Sequence, residues 1–250
     1  EGVTADTRVV FDLNRGIAFE LGTDGSALTL TALEDAVAVV PVLEAGFNQR
    51  IIGSTSSEEL VSLIGGATLI GNEGDDTLRG AYNDVLSGGL GNDLLISGIN
   101  NNLFAGRGND TIVIDESADR VRAGLGDDLF RVTGDVNTLL GGGGNDTLSF
   151  EDVDTGIQFD LTTVVGNTGP SITVFEAIEG LIGTGSADTL LGSSDDNQIE
   201  GGRGGDDIQG RDGDDLLSGG VGLDTLDGGA DDDTLDGGSG SDLLIGGEGR

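Results

Sequence analysis

The sequence predicts an all-β fold: a parallel β-roll, of the β-helix or solenoid kind, made of nonapeptide-repeat arrays and interrupted by short strand-rich segments. Three observations predict it. Glycine recurs every nine residues at Gly183, Gly192, Gly201, Gly210, Gly219, Gly228, Gly237 and Gly246. Five residues after each of the first seven stands an acid or amide: Asp188, Asn197, Asp206, Asp215, Asp224, Asp233 and Asp242. Two residues further on there is always an aliphatic, at Leu190, Ile199, Ile208, Leu217, Leu226, Leu235 and Leu244. A fixed short period marks a stack of small units that bury their apolar side only against one another.

The nonapeptide divides into a glycine-rich turn and a strand of about three residues. In that strand alternate side chains point to opposite faces, so the aliphatic of position eight faces inward and its neighbours face out. Glycines at positions one, two and four permit positive φ and close backbone approach. Two nonapeptides complete one coil, and coils stack at roughly the 4.8 Å spacing of β-strands. The expected product is a flattened roll of two short parallel sheets with a thin aliphatic filling.

The same register runs less regularly through the middle of the chain. Position six there reads Asp76, Asp84, Asp93, Asn102, Asp110, Asp119, Asp128, Asn137 and Asp146, followed two residues later by Leu78, Leu86, Leu95, Phe104, Ile112, Val121, Phe130, Leu139 and Leu148. The steps from Asp76 to Asp84 and from Asn102 to Asp110 are one residue short, which predicts local bulges or tightened turns.

A longer duplication contains the short one. Gly16-Ile17-Ala18-Phe19-Glu20-Leu21 matches Gly156-Ile157-Gln158-Phe159-Asp160-Leu161, and the stretch from Ile51 to Leu60 matches that from Leu181 to Leu190. The chain therefore divides into a strand-rich segment over 1–52, a first array over 53–149, a second strand-rich segment over 150–182 and a second array over 183–250. Residues 1–10 read as the tail of a preceding array, and the last array reads as cut within a repeat, so the chain is expected to be an excerpt. In the interruptions Gly16–Leu21 and Gly156–Leu161 alternate as half-buried strands, with residues 26–33 and 171–178 as partner strands. The stretch 34–45 is apolar and alanine-bearing, as a short helix would be, but Pro41 and its valines argue for extended structure. Phe11, Phe19, Phe47, Phe150, Phe159 and Phe175 are expected as core.

Composition excludes much. There are 46 acidic and 11 basic residues, a formal charge of -35, so the chain has no attraction for nucleic acid phosphates. All its basic residues are arginine. With no His, Cys or Lys there is no histidine-based catalysis, zinc finger, disulfide or P-loop, and no G-x-S-x-G elbow is present. The segment is therefore expected to be no enzyme. No apolar run is long enough to span a membrane as a helix. Sugar stacking is disfavoured by a single tyrosine, Tyr82, and no tryptophan, and the outward strand positions are too mixed for a threonine ladder.

Stacking sets position-six carboxylates above one another, and like charges about 5 Å apart repel by roughly 1 kcal/mol even in water. A hard divalent cation reverses that sign, and calcium accepts both carboxylates and the carbonyls that glycine turns expose. The candidate metal ligands are Asp76, Asp84, Asp93, Asp110, Asp119, Asp128, Asp146, Asp188, Asp206, Asp215, Asp224, Asp233 and Asp242, with the tightest sites expected between Asp206 and Asp242. Asn102, Asn137 and Asn197 supply an oxygen without charge, Ala67 supplies none, and Glu58 is longer than the turn expects. Asp195 and Asp231 read as turn formers.

This G-G-x-G-x-D-x-(Leu/Ile)-x pattern resembles the repeats-in-toxin, or haemolysin-type, calcium-binding nonapeptide family over most of 53–149 and 183–250. The resemblance implies calcium ions as ligands, type I secretion, and folding outside the cell where calcium is abundant. It implies a structural, calcium-folded stretch of a long secreted or surface bacterial protein of adhesin, matrix or surface-layer type, facing a cell-surface or matrix partner. The alternative is the accessory region of a secreted protease, lipase or epimerase whose catalytic domain lies elsewhere.

Overall fold

In the computed structural model the strands Ala18–Glu20, Ala27–Thr31 and Val37–Val39 are described, and then residues 48–249 except 64 and 116–118, with side chains from Arg50 onward. The reading of residues 1–10 as a preceding array, and the packing of Phe11, Phe19 and Phe47, lie outside the described residues. Among those described there is no helix. The fold is an all-β solenoid of parallel coils, in two compact units, Glu1–Asp128 and Leu129–Arg250.

In the first unit one sheet stacks Asn48–Ile52, Thr68–Glu73, Val85–Leu90, Asn102–Arg107 and Asp119–Leu125 in parallel. The other stacks Val37–Val39, Glu59–Val61, Thr77–Arg79, Leu94–Ile96 and Thr111–Ile114. Each coil gives one strand to each sheet. Ala27–Thr31 lies parallel on Asn48–Ile52 and carries Ala18–Glu20 antiparallel on its far side, as the sequence pairing of that interruption expects. The inward column Ile51, Leu69, Leu86, Leu103, Val121 faces Leu60, Leu78, Leu95, Ile112, all fully buried.

The structure corrects the register at one place. Leu103, not Phe104, is the inward residue: Leu103 is fully buried and registers with Leu86 and Val121, whereas Phe104 points outward and is 40% exposed. The ladder residue is accordingly Asn101 rather than Asn102, and the second short step falls between Asp93 and Asn101. A shift of one residue moves every side chain of a strand to the other face. The choice follows the hydrogen bonds: Asn101 accepts the Asp84 N–H at 2.8 Å and donates its own N–H to Asp119 at 2.6 Å.

In the second unit one sheet stacks Leu129–Val132, Thr147–Ser149, Gly180–Ile182, Gln198–Gly204, Leu216–Gly222 and Thr234–Asp236. Another stacks Gln158–Asp160, Thr189–Leu191, Asp207–Arg211, Thr225–Gly229 and Leu243–Ile245. The second interruption is thus absorbed into the roll: Phe159 registers with Leu190, and Leu148 registers directly with Leu181 across the insertion. Its two expected strands do not pair with each other. Gln158–Asp160 lies on the array, and Phe175–Glu176 pairs with Val136–Gly143, because each finds a strand edge already in place. Phe159 is fully buried, with ring centroids 5.1 Å from Phe150 and 5.5 Å from Phe175.

Candidate metal centre

The corners of the roll are made by residues that tolerate left-handed backbone. Gly106 and Gly108 sit at φ 125 and 122, and a β-carbon on Gly106 would stand 2.3 Å from the carbonyl oxygen of Gly89, one coil before. Such close stacking lines the corner with columns of backbone carbonyls. Into it reaches the position-six carboxylate, buried between coils.

In the regular coils the carboxylate is held by one oxygen. Asp76, Asp93 and Asp110 donate their N–H groups at 2.8 Å to Oδ1 of Asp93, Asp110 and Asp128 of the following coil. In the second unit Asp188 and Asp206 donate to Asp206 and Asp224 at 2.8 Å, Asp215 to Asp233 at 3.0 Å, and Asp224 to Asp242 at 3.1 Å. The second oxygen is different. Oδ2 of Asp76, Asp93, Asp110, Asp206, Asp215, Asp224 and Asp233 is buried with no hydrogen-bond donor. A β-carbon on Gly71 would lie 2.3 Å from Asp76 Oδ2 and 2.6 Å from the Gly88 carbonyl oxygen, so carboxylate and carbonyl crowd the same space.

A buried anionic oxygen without a donor is costly. Burial pushes the carboxyl groups of Asp76 and Asp110 up to about 7, opposed by the N–H groups of Glu58 and Asp93 and reinforced by neighbouring acids. Burial likewise raises Asp206 and Asp215 to about 6, and raises Asp93. Among the described residues no three acidic side chains gather at one point. The donors on offer are therefore one or two carboxylates with backbone carbonyls, which suits a hard cation taking many oxygens, and calcium best of these.

The other candidate ligands divide by environment. Asp119, Asp128 and Asp146 are buried in the ladder, while Asp233 and Asp242 are partly exposed toward the last coil. Asp84 spends both oxygens on N–H groups, Oδ1 on Ala67 at 2.6 Å and Oδ2 on Ala81 at 2.7 Å. It belongs to a corner of the first unit built without paired glycines, from Ala81-Tyr82-Asn83-Asp84 and Gly98-Ile99-Asn100-Asn101, with Asn83 and Asn100 at φ 55 and 57. That corner is one residue shorter, which is why ladder partners here are 17 rather than 18 residues apart. Asp188 is also fully engaged: Oδ2 accepts the Thr184 N–H at 2.6 Å and Oδ1 the Ile157 N–H at 2.7 Å.

Sequence reasoning missed some members. Glu179 stands in the ladder where the roll resumes after the interruption, accepting the Asp146 N–H at 2.9 Å. Its signal was the buried Leu181 two residues on, the spacing that Glu58 and Leu60 also show. A second, exposed ladder runs at position five in the opposite direction: Asn92 donates its N–H to Asp75 at 2.7 Å, Asn109 to Asn92 at 2.7 Å, and Asp214 to Asp196 at 2.9 Å. Arg211 grips Asp160 through both terminal nitrogens, at 2.9 and 2.7 Å, and donates to the Gly192 carbonyl at 2.6 Å. Burial raises the Asp160 carboxyl, but the Arg211 and Thr162 hydrogen bonds outweigh it and hold the group below its ordinary value.

A family model described as the RTX calcium-binding nonapeptide repeat matches residues 70–103, 80–112, 97–130, 113–148, 182–217 and 218–250, more than half of the chain. No curated protein matches it.

Proposed function

The chain belongs to the RTX calcium-binding nonapeptide repeat family, and from that premise we propose that it is a non-catalytic segment which calcium folds. The observation that carries this reading is the buried, donorless Oδ2 of Asp76, Asp93, Asp110, Asp206, Asp215, Asp224 and Asp233. These seven are the ligands we assign most directly; Asp119, Asp128, Asp146 and Asp242 share their place in the ladder. Calcium supplies the positive charge that glycine-rich coils lack, and the chain's own residues fix its place through Oδ1. The formal charge of -35 makes the metal-free chain expand by self-repulsion, and metal uptake is then coupled to compaction.

The setting follows from that coupling. A segment that stays open in low calcium and closes in high calcium suits a secreted or surface bacterial protein of adhesin, matrix or surface-layer type. The duplication of interruption plus array, bounded near 52, 149 and 182, favours tandem modules of a long structural protein. The test is far-ultraviolet circular dichroism of the chain in chelator and through a calcium titration. Cooperative gain of β-structure at ~0.1–1 mM, the range of extracellular modules, supports the reading. Identical spectra in both conditions overturn it.

A further inference from the structure

The second residue of each turn sorts the ladder into two kinds of rung. Where it is Asn72, Gly106, Gly202 or Arg211 its φ is positive, at 85, 125, 100 and 91. Four residues later Oδ2 of Asp76, Asp110, Asp206 and Asp215 is left without a donor. Where it is Ser54, Thr184 or Ser193 its φ is not in the left-handed region, and its N–H turns into the corner. That N–H donates to Glu58 Oε2 at 3.1 Å, to Asp188 Oδ2 at 2.6 Å and to Asn197 Oδ1 at 2.6 Å.

The hydroxyl completes the closure. Thr184 Oγ1 donates to Asp188 Oδ1 at 3.0 Å, and Ser193 Oγ donates to Asn197 Oδ1 at 3.3 Å. Each hydroxyl then accepts the N–H two residues on, from Ser56 at 3.2 Å, Ser186 at 3.0 Å and Asp195 at 3.1 Å. The cause is local. A β-branched threonine avoids positive φ, and serine and threonine side chains bond the backbone just ahead of them. The turn therefore supplies the donors that elsewhere are missing.

We infer that the second turn residue decides whether a rung takes calcium: left-handed backbone there, as at Gly202, Asn72 or Arg211, opens it, and a residue held outside that region, with its N–H turned into the corner as at Ser54, Thr184 or Ser193, closes it. The rungs of Glu58, Asp188 and Asn197 are closed. They lie where each array leaves its interruption, so the metal-holding coils stack on coils already satisfied by protein donors. Asp206, for example, takes the Asp188 N–H at 2.8 Å. This inference rests on the calcium reading and assigns Asp188 a structural place in it.

The experiment is calorimetric calcium titration of the full chain as wild type, Thr184→Gly and Thr184→Val. Glycine is the residue the next coil on this corner carries, at Gly202, so the backbone accepts it. Thr184→Gly is expected to take up one ion more than wild type. Thr184→Val gives up the hydroxyl but keeps the β-branch, which holds the backbone out of the left-handed region and its N–H on Asp188, and is expected to bind the wild-type number. Equal numbers for wild type and Thr184→Gly, or a gained ion in Thr184→Val, overturn the inference and leave the calcium reading intact. A wild-type chain that binds no calcium brings down both.

Discussion

Asp93 donates its backbone N–H to Oδ1 of Asp110 at 2.8 Å, and Asp110 Oδ2, on the same carboxylate, is buried without a donor. One oxygen is therefore structural, and the other is the one we propose for the cation. The split separates two substitutions that sequence alone would treat alike. Asp110→Asn keeps an acceptor for Asp93 and places an N–H₂ donor among carbonyls. It should lower calcium uptake by one ion while stabilising the metal-free fold by about 1–3 kcal/mol, by removing a buried unpaired charge. Asp110→Ala should lose both the ion and the link to Asp93. Calorimetry with urea unfolding in chelator reads the difference.

The raised carboxyls set the pH dependence of the metal-free chain. Asp76 and Asp110 titrate near 7 and Asp206 and Asp215 near 6 when folded, against 3.8 unfolded. The folded state then binds more protons, so their contribution is fully present below the unfolded value and is lost as pH rises through about 6 to 7. In chelator, β-structure should grow as pH falls from 8 to 4.5, and the calcium midpoint should rise over the same window. A circular dichroism signal flat across that range contradicts this.

Asp160 obeys the opposite sign. Its folded carboxyl is held below the ordinary value by Arg211, so its contribution is present above the unfolded value and is lost only as pH falls through the lowered one. Asp160→Asn should destabilise the calcium-loaded second unit by about 1–3 kcal/mol. Thermal unfolding at neutral pH should show it, with the effect shrinking as pH falls below the ordinary carboxylate range.

The corrected register has its own test. Leu103 is fully buried and Phe104 is 40% exposed, so Leu103→Ala should cost about 2–5 kcal/mol and Phe104→Ala under about 1 kcal/mol. The reverse order in denaturant unfolding would restore the register read from the sequence.

Much of this was legible because the period is strict: where one acid and one aliphatic stand two apart inside the arrays, as in Asp206 and Ile208, ladder and core residues were assigned as the structure has them, whereas Leu244, read as inward, is 47% exposed in the last coil, which nothing among the described residues covers. The reading slipped where the sequence offered two equal choices, Asn101 or Asn102 with Leu103 or Phe104. Only the hydrogen bonds of Asn101 to its neighbouring coils decide between them. A period of nine also hides what surrounds each aspartate. Asp84 and Asp206 look alike in register, yet one carboxylate is saturated by Ala67 and Ala81 and the other is not. Glu179 escaped because the interruption breaks the count before it.

The unlike corners of the first unit have a consequence for how the chain finds its alignment. Slipped by one nonapeptide, that unit would bring Tyr82 and Ile99 to the places of Gly91 and Gly108, where even a β-carbon meets a carbonyl oxygen at 2.2 and 2.1 Å. Such a misthreaded state is refused on steric grounds, so the unit proofreads its own phase. Between residues 201 and 245 both corners are paved alike with glycine and aspartate, and a slipped threading would meet few objections. Arg211, reaching Asp160 from one coil alone, is the mark by which that stretch can tell its frames apart.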